Sequence, residues 1–135
     1  LIIRWPGHLE QPGRTENGLV EGVDVLPTLL ESAGIPVPGH LQGQSLMPAL
    51  RANAWNGREH VLTEMHGWKT LRTRDHRYVL NRDGSEQLYY LPDDRQAYCD
   101  LNADGAQEAL CGQLRHQLLL HQLRSERPQP RVWPY

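Results

Sequence analysis

Phenylalanine is absent from these 135 residues, so four Trp and five Tyr must supply the large aromatic surface of any core. Lysine occurs once, at Lys69, and nearly every cation is an arginine. The arginines are scattered singly along a chain whose net charge is −2, which leaves no basic field to hold a nucleic acid. Cysteine is scarce. Cys99 and Cys111 could pair, but two are too few to form a disulfide framework, and they assign no compartment. Long apolar runs are also missing. Stretches such as Leu118-Leu119-Leu120 fall far short of the ~20 residues that span a bilayer and are too short for the apolar region of a signal peptide.

What is present points to one modest core crossed by long loops. Ten prolines and twelve glycines are more than a compact helical domain would carry. The chain opens on Leu1-Ile2-Ile3-Arg4-Trp5, closed by Pro6-Gly7, which reads as a buried strand. A strand this apolar joins a sheet whose other members come from elsewhere, so the expectation is a piece of a longer protein. Asp24 then offers an N-cap, and Leu26, Leu29, Leu30 and Ala33 repeat at helical spacing up to the stop at Gly34. Ser45 caps one further turn carrying Leu46 and Leu50. From residue 60 the period shortens. Segments 60–64, 68–73, 76–81 and 86–90 read as four short, mostly antiparallel strands, with Arg74-Asp75 and Asp83-Gly84 as hairpin turns. Asp104 and Gln107 resemble a capping box, before a helix whose face carries Leu110, Cys111, Leu114 and Leu118 and which ends near Leu123. The order of elements is α/β or α+β.

These blocks resemble, in order, the C-terminal part of sulfatases of the alkaline phosphatase superfamily. Leu1 to Gly7 is similar to the strand and turn that follow the family's catalytic region. Pro12-Gly13-Arg14, Val23-Asp24-Val25-Leu26-Pro27-Thr28-Leu29-Leu30 and Ala33-Gly34-Ile35-Pro36 resemble its next block, and Gln42 to Leu50 its QGxSLxPxL segment. Val61-Leu62-Thr63-Glu64 and Leu71 to Leu80 look like the hairpin of its C-terminal subdomain. Glu86-Gln87-Leu88-Tyr89-Tyr90-Leu91 is similar to its ELYDL strand, and Asp93-Asp94 with Asp100-Leu101 stand where its acidic loop and NL pair usually do. Departures cluster at the end, with Tyr90 in place of an acid and Arg95 in place of a proline. The resemblance implies an α/β fold of the alkaline phosphatase and sulfatase type. Residues 1–59 would end the main domain, with an edge of its sheet and a covering helix. Residues 60–124 would form a subdomain of four antiparallel strands and a helix, and 125–135 an irregular tail.

Sulfate-ester hydrolysis needs a nucleophile, a metal to neutralise the sulfate oxygens and an acid for the leaving alkoxide. The family supplies a formylglycine made from Cys or Ser in a C/S-x-P-x-R motif, and a divalent metal, usually Ca²⁺. By resemblance these lie upstream of Leu1, so this segment has no catalytic residue and no metal ligand and is inactive alone. Cys111-Gly112-Gln113-Leu114-Arg115 imitates the motif, but Gln113 stands in place of its proline and the helical face makes Cys111 structural. His60, His66 and His76 with Glu64 lack the spacing of a known metal site. His116 and His121 are five apart, off the same-face spacing, and read as solvent-facing. Asp24 reads as a cap and not a catalytic carboxylate.

Glu64, His66 and Trp68 are the candidates for substrate contact, because in the family the loop after that strand can approach the active-site mouth. Ordinary strand-end packing, with Trp68 covering the sheet, is the bland alternative. The leading reading is therefore the C-terminal segment of a sulfuric ester hydrolase. Its partners are the upstream catalytic portion of the same protein and, in that parent, a small sulfate ester. A phosphonate monoester or phosphodiester hydrolase of the same superfamily is the alternative within the fold, and a non-catalytic binding module the alternative outside it.

Overall fold

The computed structural model describes residues 1–51 and 55–126. The chain divides into two compact units, Leu1–Arg58 and Glu59–Tyr135.

In the first unit, α1 (Val25–Ser32) follows a single 3₁₀ turn, Gly22–Asp24, and α2 (Met47–Leu50) is one turn long. No described residue pairs with residues 1–5, and Leu1 and Ile2 are 73% and 96% exposed. A strand exists only through its partners, and apolar sequence alone does not provide one. The chain turns at Trp5, where the His8 N–H donates to Trp5 O at 3.2 Å and the two rings stack with centroids 4.6 Å apart.

Asp24 departs from its expected capping role. It closes the 3₁₀ turn and makes no N-cap bond to α1. The leucine stripe of α1 is not the side that this unit buries. Leu26 and Leu29 are 50% and 59% exposed, whereas Asp24, Pro27 and Thr28 are buried. The polar side chain goes inward because it is fully used: the Thr28 hydroxyl donates to Asp24 O at 2.6 Å and accepts from the Leu46 N–H at 2.9 Å. α1 ends as anticipated, with Gly34 at φ +71° and the Ile35 N–H bonded back to Leu30 O at 2.9 Å. Ser45 receives the Met47 N–H at 3.2 Å, at the start of α2. Gly43 runs so close to Val23 that an added Cβ would lie 2.0 Å from its carbonyl oxygen, a contact only glycine permits.

The second unit is a four-stranded meander with a helix laid on it. β1 (His60–Met65), β2 (Trp68–Thr73), β3 (His76–Asn81) and β4 (Glu86–Tyr90) pair in the order β1-β2-β3-β4, each pair antiparallel. The two-residue connections dictate the register: His66-Gly67, with Gly67 at φ +93°, sets Met65 opposite Trp68, and Arg74-Asp75 sets Arg72 opposite Arg77. One row then runs straight across the sheet, Leu62–Leu71–Tyr78–Leu88.

α3 (Glu108–Ser125) covers that row with Cys111, Leu114 and Leu118. Leu71, Tyr78, Leu88 and Cys111 are completely buried, and each fully buried leucine contributes about 2 kcal/mol of transfer free energy. The helix starts four residues after Asp104, whose carboxylate caps the Ala106 N–H at 3.0 Å in a turn of its own. It runs two residues beyond Leu123. The free edge of β4 is closed by the loop that follows: Asp100 Oδ1 accepts the Leu88 N–H at 2.9 Å, and the Leu101 N–H donates to Leu88 O at 2.8 Å.

Candidate functional site

Strand alternation separates the three candidate contact residues. On β1, Glu64 shares the α3-facing side with Leu62. Trp68 opens β2 on the opposite side, half-buried, in register with Met65 and Asn81. His66 is at the tip of the hairpin between them and is exposed. Glu64 is engaged by Lys69 across the strand pair, Nζ to Oε2 at 2.6 Å. Both partners are substantially exposed, so that pair adds less than about 1 kcal/mol. The three residues therefore share one end of one hairpin without converging on a single pocket.

Histidine geometry corrects one reading and sharpens another. His116 is exposed, but His121 is half-buried and meets His60 edge-to-face, with ring centroids 5.5 Å apart. The helix brings it there because residues 114, 118 and 121 follow one side of α3. His76 tilts against Tyr90 at 5.3 Å. Among the described residues, no group of three or more His, Cys, Asp or Glu side chains is gathered as a metal would need. The described residues do not fit a divalent-metal centre, and no chemical step is assigned to them through one. Cys111 is buried in the core, where burial, with Glu86 and Glu108 nearby, pushes its thiol above its ordinary pKa and away from nucleophilic use. Cys99 is exposed, and neither cysteine is in a disulfide.

Two charged networks are placed by the tertiary structure. Arg58 binds Asp24 with two nitrogens and Glu21 at 3.3 Å, and the Asp24 carboxylate also accepts the N–H groups of Glu21 (2.8 Å) and Gln44 (2.7 Å). Burial alone would raise the Asp24 pKa, but the Arg58 hydrogen bonds and the two backbone donors outweigh it and hold the group below its ordinary range. On the second unit, Arg115 forks onto Glu86 at 2.5 and 2.7 Å, and the Tyr78 hydroxyl donates to Glu86 Oε1 at 2.6 Å. Arg115, then the tyrosine hydroxyl, hold Glu86 below its ordinary pKa, while burial and the Glu86 charge push Tyr78 above its own. Both networks are architectural: one ties the loop after Gly39 to α1, the other pins α3 to the sheet.

A cleft of about 560 Å³ in the first unit is lined by apolar residues including Ile3, Leu9, Leu46, Leu50 and Trp55. The charged side chains at its wall, Arg14 and Glu16, pair with each other at 3.1 Å. Beyond Glu16, its described lining holds no further carboxylate and no His or Cys. Among the described residues, no helix is long and apolar enough to cross a membrane.

With this geometry in hand, comparison with known proteins is decisive. The sequence model of the N-sulphoglucosamine sulphohydrolase C-terminal family matches residues 1–129. The chain belongs to this family of sulfatase C-terminal domains. Arylsulfatase K of Canis lupus familiaris is 35% identical over 108 residues, covering 69% of this chain and 19% of the relative; the Homo sapiens protein of that name is 33% identical over the same shares. The chain thus spans about a fifth of the length of the curated relatives it matches. Among solved structures, a 2-O GAG sulfatase overlays with a TM-score of 0.69 at 27% identity, over 76% of this chain and 24% of that one. A phosphonate monoester hydrolase from Silicibacter pomeroyi overlays with a TM-score of 0.77 at 23% identity, over 90% and 28%, and shares the fold. The sulfatase domain assigned from the order of the sequence blocks is the one these matches establish, including its four-stranded sheet and C-terminal helix.

Proposed function

We propose that this chain is the C-terminal domain of a sulfuric ester hydrolase and that the intact parent cleaves sulfate esters. The observation that carries this reading is the family match along residues 1–129; on the resemblance, the nucleophile and metal ligands belong to the upstream portion. In the parent, a formylglycine and a divalent cation, Ca²⁺ by family resemblance, supply the nucleophile and the charge neutralisation. The residues of this chain bind and shape. Residues 1–59 finish the main domain, with the apolar stripe of α1 turned toward it. Residues 60–124 form the subdomain that buttresses the cleft, and 125–135 form the tail, of which only Ser125 and Glu126 lie among the described residues.

Within that domain, the β1–β2 hairpin end is the part that reaches toward substrate. His66, exposed at the tip, can donate a hydrogen bond to an ester or sulfate oxygen. Trp68 offers an apolar ring face for the alcohol portion. Glu64, held by Lys69, limits the approach of further anionic groups. A phosphonate monoester hydrolase is the second reading, favoured by the TM-score of 0.77 with such an enzyme.

The test is turnover of an aryl sulfate and of an aryl phosphonate monoester by the full-length parent and by residues 1–135 alone. Faster turnover of the sulfate by the parent, with none by the fragment, is the expected result. Preference for the phosphonate would establish the second reading, and turnover by the fragment would overturn both. His66→Ala and Trp68→Ala in the parent should raise KM for a bulky sulfate ester about tenfold with kcat little changed. Unchanged KM in both variants would remove the hairpin from the substrate site.

A further inference from the structure

Two Asn-Gly pairs meet in the first unit. Asn17-Gly18-Leu19 and Asn56-Gly57-Arg58 run antiparallel through a single bridge, in which the Arg58 N–H donates to Leu19 O at 3.2 Å. Their backbones touch at the glycines. A Cβ on Gly57, itself at φ +73°, would lie 2.7 Å from Gly18 Cα, and a Cβ on Gly18 would strike the Trp55 ring. Asn17 and Asn56 are exposed, and among the described residues neither side-chain amide has a hydrogen-bond partner. The Gly18 and Gly57 N–H groups are likewise unbonded. Two other asparagines are placed differently. Asn81 donates to Ser85 Oγ at 3.1 Å and is followed by an Arg82 N–H bonded to Gly67 O at 2.7 Å. Asn102 is followed by an alanine, whose Cβ shields the next nitrogen.

We propose that this crossing is a site of spontaneous chemical modification, where Asn56 deamidates in the folded protein and thereby releases Arg58 from Asp24. Asparagine is thermolabile because the next backbone nitrogen can attack its side-chain carbonyl carbon, and glycine shields that nitrogen least. The Gly57 nitrogen bonds to Asn56 Cγ and gives up its proton as ammonia leaves, closing a five-membered imide. Water opens the ring at either carbonyl, leaving aspartate or isoaspartate, with nothing oxidised or reduced. Either product adds a negative charge, and isoaspartate also adds one methylene to the main chain. A crossing with no room for a single Cβ cannot take up that methylene and keep the bond from Arg58 to Leu19. Arg58 is two residues on, and its guanidinium holds the buried Asp24 carboxylate. Asn17 can follow the same chemistry, but only Asn56 leads directly into that ion pair.

The experiment uses the full-length parent, kept warm at mildly alkaline pH and sampled over days. Peptide mapping reads the amide-to-acid mass change at each asparagine, and an isoaspartyl methyltransferase counts isoaspartate. Asn56 is expected to convert several-fold faster than Asn81 or Asn102. The converted fraction, separated by its charge, is expected to melt at a temperature lowered toward that of Arg58→Ala. Asn56→Gln, whose imide would need a six-membered ring, should halt the fall. An Asn56 that stays an amide in the folded parent while it converts in urea overturns the proposal, because the fold then protects it. Conversion that leaves the melting temperature unchanged also overturns it, as does a fall that Asn56→Gln fails to halt. None of these readouts is ester turnover, so they stand apart from the proposed activity.

Discussion

Arg58 holds the Asp24 carboxylate through both of its oxygens, Nε to Oδ2 at 3.1 Å and a terminal nitrogen to Oδ1, across thirty-four residues of chain. Asp24 is 1% exposed and the Arg58 side chain 10%, so neither charge has water to fall back on. Gln44 is tied to the same carboxylate, which makes Asp24 the point where three separate stretches of the first unit meet.

Asp24→Ala should therefore cost about 3 kcal/mol, the scale for removing one partner of a buried ion pair. The measurement is the urea midpoint of the first unit's transition. Asp24→Asn preserves the shape and some hydrogen bonding and should lose less. A loss below about 1 kcal/mol for the alanine variant would mean that Arg58 is held by other groups.

Acid sensitivity follows from the same carboxylate and from Glu86. Both have folded pKa values below their ordinary ones, so the folded state binds protons less readily than the unfolded state does. The stability they confer is fully present above the unfolded values of about 4 and is lost as pH falls through the folded ones. Urea midpoints recorded from pH 7 downward should begin to fall near pH 4.5, and Asp24→Asn should flatten that fall. Parallel curves for the two proteins would disconnect Asp24 from the acid transition.

Tyr78 is completely buried, yet its hydroxyl reaches Glu86. Tyr78→Phe keeps the ring in the Leu62–Leu71–Leu88 row and leaves Arg115 on the acceptor, so the expected cost is about 1 kcal/mol. Calorimetry of the second unit reads it. An unchanged transition would show that Arg115 alone satisfies Glu86.

The two thiols should separate cleanly by reactivity. A disulfide-exchange reagent is expected to titrate exposed Cys99 in the folded protein and to reach Cys111 only in denaturant, because burial both shields that sulfur and suppresses its thiolate. Two fast equivalents under native conditions would contradict the packing of α3 on the sheet.

The four strands were legible because their signal is local. The alternation of β2, β3 and β4, together with two-residue turns, sets where each strand starts and what it faces. The Leu110, Cys111, Leu114 and Leu118 spacing likewise names the buried side of α3, since that face lies against its own sheet. The apolar stripe of α1 is the opposite case. Periodicity says that Leu26 and Leu29 share a face, but not whether that face finds a partner within these residues, and here Thr28 and Asp24 take the interior because their hydrogen bonds are complete. Among the site residues, the positions of Glu64, His66 and Trp68 on one hairpin were readable; that alternation sends Glu64 and Trp68 to opposite faces needed the register.

The sequence by itself determined the family, the strand boundaries and the helix face of the second unit, because each rests on residues near one another in the chain. The tertiary structure alone decided that Arg58 closes on Asp24, that Arg115 pins Glu86 and that His121 meets His60. Those outcomes depend on which distant groups come within hydrogen-bonding reach, and a one-dimensional pattern carries no information about that distance.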